Sequence, residues 1–191
     1  MNQVGVFFVG RSNAGKSTVI KELYGLKTRT GRQPGVTRAP VRYKLEAVEI
    51  IDLPGIGFRH GLKNYKSMLL DILDESRARR QPLPLGVQVI DAKSFLDVSD
   101  RHSKLLDVNL FESLLELQID PIVAINKMDK IVERQASLDK IVSQLGMLPP
   151  YGQWIDRVVP LSAKKHEVAE LKWLISQRLQ RLRELAKVAA V

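Results

Sequence analysis

The chain has 191 residues, 45% hydrophobic and 27% charged, with a formal net charge of +9 and no cysteine. That length can bury a substantial core, and the absence of cysteine excludes disulfides, zinc–thiolate sites and thiol nucleophiles. No apolar run reaches the roughly 20 residues of a membrane span, and MNQVGVFFVG lacks the basic lead of a secretory leader, so a cytoplasmic protein is expected.

Val4 to Val9 is a continuous apolar run that reads as a buried strand, ending at GRSNAGKST, Gly10 to Thr18. Lys16 to Tyr24 then carries Val19, Ile20, Leu23 and Tyr24 at helical spacing. The connector Gly25 to Pro40 is too rich in Gly, Pro and Thr for regular structure. Val41–Leu45 and Val48–Leu53 read as two strands across a short turn. Helical patterns over Asn64–Ala78, Val108–Gln118, Val132–Leu145 and Glu167–Val188 then separate short apolar runs at Leu85–Ile90, Pro121–Ile125 and Arg157–Leu161. This alternation predicts an α/β fold, a three-layer sandwich around a mostly parallel six-stranded sheet, as one domain over residues 1–191. The polar stretch 92–107 is expected to be a surface insertion.

The stretch Gly10–Thr18 fits G-x-x-x-x-G-K-[ST], in which Gly10, Arg11, Ser12, Asn13, Ala14, Gly15, Lys16, Ser17 and Thr18 would wrap phosphates. Its place between a strand and a helix sets backbone N–H groups and the helix dipole on the anion. Lys16 is expected at the β- and γ-phosphates, and Ser17 at Mg²⁺. DLPG, Asp52, Leu53, Pro54 and Gly55, ends the third strand, so Asp52 can hold Mg²⁺ and the Gly55 N–H can meet the γ-phosphate. NKMD, Asn126, Lys127, Met128 and Asp129, follows the fifth strand. Its aspartate can accept from the ring N–H and exocyclic amine of guanine, donors that adenine lacks there. Lys127 can lay its stem along the base, and SAK, Ser162, Ala163 and Lys164, can offer the Ala163 N–H to the guanine oxygen. An ATPase or small-molecule kinase is disfavoured by NKMD and by the lack of a lid domain.

In this order the motifs resemble those of small regulatory GTPases, with switch I over 25–40 and switch II over 53–62. Within PGVTR, Gly35, Val36, Thr37 and Arg38 would meet the nucleotide, Thr37 reaching Mg²⁺. GRSNAGKS, PGVTR and DLPG-x-G together are similar to the EngB family of Era-like P-loop GTPases, and the motif order covers essentially the whole chain. The 92–107 stretch is closest in character to archaeal members. The resemblance implies a monomeric GTPase that converts GTP to GDP and assists large ribosomal subunit assembly, with a division or septation switch as the alternative.

Two features bear on mechanism. Where Ras-like enzymes carry a water-orienting glutamine after DxxG, this chain has Ile56, so intrinsic hydrolysis should be slow. Asn13 occupies the loop position that helps coordinate K⁺ in related GTPases, so K⁺ should stimulate turnover; the alternative is that Asn13 only tightens the loop. Lys16, Thr37, Gly55 and Asn13 are therefore the candidate catalytic set. Residues 1–44 hold nine Lys/Arg against one acid, Glu22, whereas the remainder nearly balances. The basic run 27–44 overlaps switch I and is expected to meet ribosomal RNA phosphates under nucleotide control.

Overall fold

The computed structural model describes residues 4–26, 39–57 and 61–188. Strand β1 (Val4–Val9) leads through the glycine loop into α1 (Lys16–Tyr24), and then come β2 (Val41–Lys44), β3 (Val48–Asp52) and α2 (Leu62–Ala78). The chain continues through β4 (Leu85–Asp91), α3 (Ala92–Leu96), α4 (Arg101–Glu116), β5 (Ile122–Asn126), α5 (Arg134–Gln144), β6 (Val158–Pro160) and α6 (Ala169–Val188). The six strands form one sheet in the order β2-β3-β1-β4-β5-β6. Every pairing is parallel except that of β2 with β3.

Why the strands read as unbroken apolar runs is clear from where their alternate side chains go. Val6 and Phe8 of β1 pack with Val19, Ile20, Leu171 and Ile175 of α1 and α6. Phe7 and Val9 pack on the opposite face with Tyr65, Leu69 and Leu110 of α2 and α4. Farther along the sheet, Val123 and Ile125 of β5 pack with Phe95, Ile141 and Val142. A strand covered on both faces has no solvated side to carry polar residues. Register then aligns the strand ends: Phe8 lies opposite Asp52, and Asp91 opposite Asn126.

The stretch 92–107 is not a surface insertion. It forms α3, which follows β4 without a connecting loop, and the first half of α4. Ala92, Phe95 and Asp107 are buried in it. The inward-facing stripe of α4 runs Asp107, Leu110, Phe111, Leu114, so a carboxylate occupies a position where helical periodicity demands an apolar residue. That substitution conceals the first two turns from a hydrophobic pattern. The last helix begins at Ala169, with Leu171, Leu174, Ile175 and Leu179 as its buried stripe. Among the described residues, no helix is long and apolar enough to cross a membrane.

Candidate functional site

All the motif residues that the structure describes gather at the carboxyl ends of the parallel strands, the edge where open α/β sheets bind ligands. The glycine loop enters α1 at Gly15, whose φ of +100° is a conformation that L side chains rarely adopt. A Cβ there would also sit 2.4 Å from Asn126 Nδ2. No side chain caps α1 and its first turn holds no acid, so the positive end of its dipole faces the phosphate loop without a competing carboxylate on its own first turn. Helices α3 and α4, by contrast, are capped by Asp91 and Asp100.

Lys16 is buried, its Nζ donating to the carbonyls of Gly10 at 3.0 Å and Arg11 at 3.1 Å. Burial pulls its pKa down to about 8, against the opposing pull of Asp52 and Asp107. Ser17 Oγ donates to Asp52 Oδ2 at 2.8 Å, which joins the phosphate loop to DLPG. Asp52 Oδ1 is buried and has no hydrogen-bond partner among the described residues, and burial raises its pKa. DLPG folds directly onto the phosphate loop: the Ser12 N–H donates to the Ile56 carbonyl and the Ile56 N–H to the Gly10 carbonyl, both at 3.2 Å. Ile56 itself is buried with Tyr65, Leu53 and Leu69.

Asn126 ties three motifs together. Its Nδ2 donates to the Ala14 carbonyl at 3.0 Å, and its Oδ1 accepts from the Ala163 N–H at 3.1 Å. The Asp129 N–H donates to Ser162 Oγ at 3.0 Å, which fixes the second half of NKMD, while the Asp129 side chain is exposed. Lys127 Nζ donates to the Asn13 carbonyl at 2.7 Å. This loop geometry corrects one expectation, since the Ala163 N–H assigned to a guanine oxygen is already engaged by Asn126. Met128 is a core residue, and Lys164 is exposed.

A family model described as a 50S ribosome-binding GTPase matches residues 5–127. The probable GTP-binding protein EngB of Methanosarcina barkeri is 38% identical to the chain, the match covering 93% of this chain and 89% of that protein. The chain belongs to the EngB family of P-loop GTPases. The probable GTP-binding protein EngB of Methanopyrus kandleri, another archaeal member, is 35% identical over 85% of each chain. A crystal structure of a probable GTP-binding protein engB matches with a TM-score of 0.75 at 32% identity, covering 93% of this chain and all of that one. The fold alone is shared with Aquifex aeolicus Era bound to GDP·AlF4⁻, with a TM-score of 0.62 at 24% identity over 94% of this chain and 57% of that one.

The EngB site contains side chains that motif reading missed. Arg11 turns away from the loop, its Nε donating to Asp107 Oδ2 at 2.7 Å and its Nη2 to Ser94 Oγ at 3.2 Å. Burial pushes the Asp107 carboxyl up to about 7, although Arg11 pulls it down. Gln88 donates to the Asp107 carbonyl at 2.8 Å, and Asp91 Oδ2 accepts from Lys127. A carboxylate at a strand end or within a helical stripe is the available sequence signal for Asp91 and Asp107.

Other expectations meet the structure less directly. Gly35, Val36, Thr37 and Arg38 lie outside the described residues, as do Lys27, Arg29 and Arg32. Arg42 does not stand as an unshared cation: it donates to Glu75 at 2.5 Å and Glu49 at 3.3 Å. Arg79 lies 3.7 and 3.8 Å from the same two carboxylates. Glu49 is buried, whereas the pairs to Glu75 are exposed and contribute about 0–1 kcal/mol, so a polyanion can compete for those.

Proposed function

We propose that this EngB-family chain binds GTP with Mg²⁺ at the carboxyl edge of its sheet, hydrolyses it to GDP and phosphate, and acts as a switch in assembly of the large ribosomal subunit. The observation that supports the nucleotide reading is Asn126, whose single amide joins the phosphate loop to the Ala163 loop, beside which Asp129 lies. The ribosomal reading is supported by the description of the matching family and by the basic bias of residues 1–44.

Each residue then has a task. The N-terminal end of α1, with its dipole, and the Lys16 ammonium bind the phosphates. Asp129, exposed and held through its backbone, selects guanine by offering one carboxylate to two donors. Ser17 and Asp52 fit Mg²⁺, because the buried, unpartnered Asp52 Oδ1 beside the Ser17 hydroxyl suits a hard cation. When bound, Mg²⁺ neutralises charge on the phosphate oxygens. Thr37 is the proposed switch residue, lying outside the described residues. Ile56 offers no group to an attacking water, which supports slow intrinsic hydrolysis. K⁺ is the proposed activator at Asn13, whose exposed side chain makes no hydrogen bond among the described residues and borders a cleft of about 370 Å³.

Titration with GTP, GDP and ATP, followed by sedimentation with large ribosomal subunits, tests the proposal. Guanine preference, abolished in Asp129→Asn, and salt-sensitive sedimentation strengthened by a non-hydrolysable GTP analogue are expected. Preference for ATP would overturn the nucleotide reading. Sedimentation indifferent to nucleotide would overturn the ribosomal one.

A further inference from the structure

We propose that Asp91 is a positioning residue for guanine-nucleotide binding, acting through Lys127; the inference rests on the guanine reading given above. Asp91 ends β4 directly opposite Asn126 in the sheet, so its carboxylate stands beside the base-reading loop. Its two oxygens have separate duties. Oδ1 accepts from the N–H groups of Lys93 at 3.1 Å and Ser94 at 3.3 Å, capping α3. Oδ2 accepts from Lys127 Nζ at 2.5 Å.

Lys127 needs such a tether. Its backbone is left-handed, with φ of 66°, and it precedes a short helical turn, Met128–Lys130, rather than a long helix that would fix its stem. An unrestrained lysine samples many rotamers, and ordering its stem costs side-chain entropy. Here the ammonium is fixed between two acceptors, Asp91 Oδ2 and the Asn13 carbonyl. The stem is thereby drawn from the NKMD turn back to the phosphate loop before any nucleotide arrives, which lays it out in advance as a platform for a base. Both side chains are mostly shielded, with 20% and 15% exposure for Lys127 and Asp91, so solvent screens the pair far less than a surface pair.

The same helix carries the link onward. Ser94, held by Asp91 through its N–H, accepts from Arg11 Nη2, and Arg11 is the second residue of the phosphate loop. A structural reading would give Asp91 only the cap on α3. The two duties can be separated, because asparagine caps a helix as well as aspartate does but presents no charge to Lys127.

The test measures release of a fluorescent GDP analogue, with thermal melting recorded in parallel. Asp91→Asn is expected to leave the melting temperature near that of the wild type and to speed release about 10-fold, the scale of one charge-assisted hydrogen bond. Lys127→Met should also speed release, and the double variant should release no faster than Lys127→Met alone. Asp91→Ser, a second capping residue without charge, should behave as Asp91→Asn does. Unchanged release in Asp91→Asn and Asp91→Ser, or additive effects in the double variant, would overturn the proposal, whatever the melting temperature. If the wild type fails to prefer GDP over ADP, the guanine reading falls and takes this inference with it. Preserved preference with unchanged release in the variants removes the role of Asp91 alone.

Discussion

Gly55 lies against Ser12 with no space for a side chain between them. A Cβ on Gly55 would stand 2.5 Å from Ser12 Oγ, 2.6 Å from its Cα and 2.7 Å from its backbone N. Two of these neighbours are backbone, so rotation of the serine side chain cannot relieve the clash. Gly55→Ala is expected to destabilise the protein by about 1–3 kcal/mol in urea unfolding, the range for overpacking a close contact. Ser12→Gly should not rescue it; full rescue would show that the hydroxyl alone was in the way.

Asp107 makes stability depend on pH in an unusual direction. Its carboxyl is pushed up to about 7 by burial, whereas the unfolded value is near 3.9. Between these values the folded state holds the extra proton, so the contribution is complete below about pH 4 and is lost as pH rises through 7. Asp107→Asn cannot titrate. Relative to that variant, the wild type should lose a few kcal/mol between pH 4 and pH 7.5, measured by urea unfolding. A constant difference across that interval would contradict the burial argument.

Lys16 titrates close to neutrality before phosphate arrives, with a pKa of about 8. Binding GTP stabilises the ammonium, so complex formation at pH 8 should take up about half a proton. Calorimetry in buffers of different ionisation enthalpy reads this directly. Affinity should fall between pH 8 and pH 9 in the wild type, and Lys16→Gln should remove both the proton uptake and most of the binding.

Asn126→Ala removes one donor and one acceptor at once, leaving the Ala14 carbonyl and the Ala163 N–H without the partner they have now. Loss of about 2 kcal/mol of stability is expected from the two buried groups. GDP affinity should drop more than 10-fold, because the phosphate loop and the base loop lose the amide that joins them through Ala14 and Ala163. Affinity unchanged in isothermal titration would show that the loops hold their spacing by other means.

The proposed activation by K⁺ is tested at Asn13, whose exposed side chain borders the cleft that also reaches Gly57 and Asp91. Initial GTPase rates should be several-fold higher in KCl than in NaCl at equal ionic strength, and Asn13→Ala should abolish the difference. Equal rates in the two salts would leave Asn13 with its backbone role only.

Much of this was legible in the chain itself. The helix Lys16–Tyr24 was read at its observed limits because an apolar face at helical spacing is bounded by Gly15 and Gly25. Strands β1, β4 and β5 are legible because burial on both faces makes them nearly continuous apolar runs. The start of α4 was missed for the converse reason, since Asp107 breaks the apolar stripe while remaining fully buried. The motif marks Arg11 as a phosphate-loop residue, and its backbone is one; its guanidinium turns inward to Asp107, a partner that only the fold brings near.

Sequence alone determined which residues form the phosphate loop, that Asp52 ends the third strand and which aspartate can read a base. Those are local facts, set by residue type and by spacing along a strand–loop–helix unit. The pairing of those motifs was decided only in three dimensions. Asn126 reaches Ala14 across 112 positions and Arg11 reaches Asp107 across 96, because parallel strands β1, β4 and β5 end at one edge. Such partners have no signature in any window of sequence: they are chosen by which buried donors and acceptors the packed sheet brings within hydrogen-bond reach.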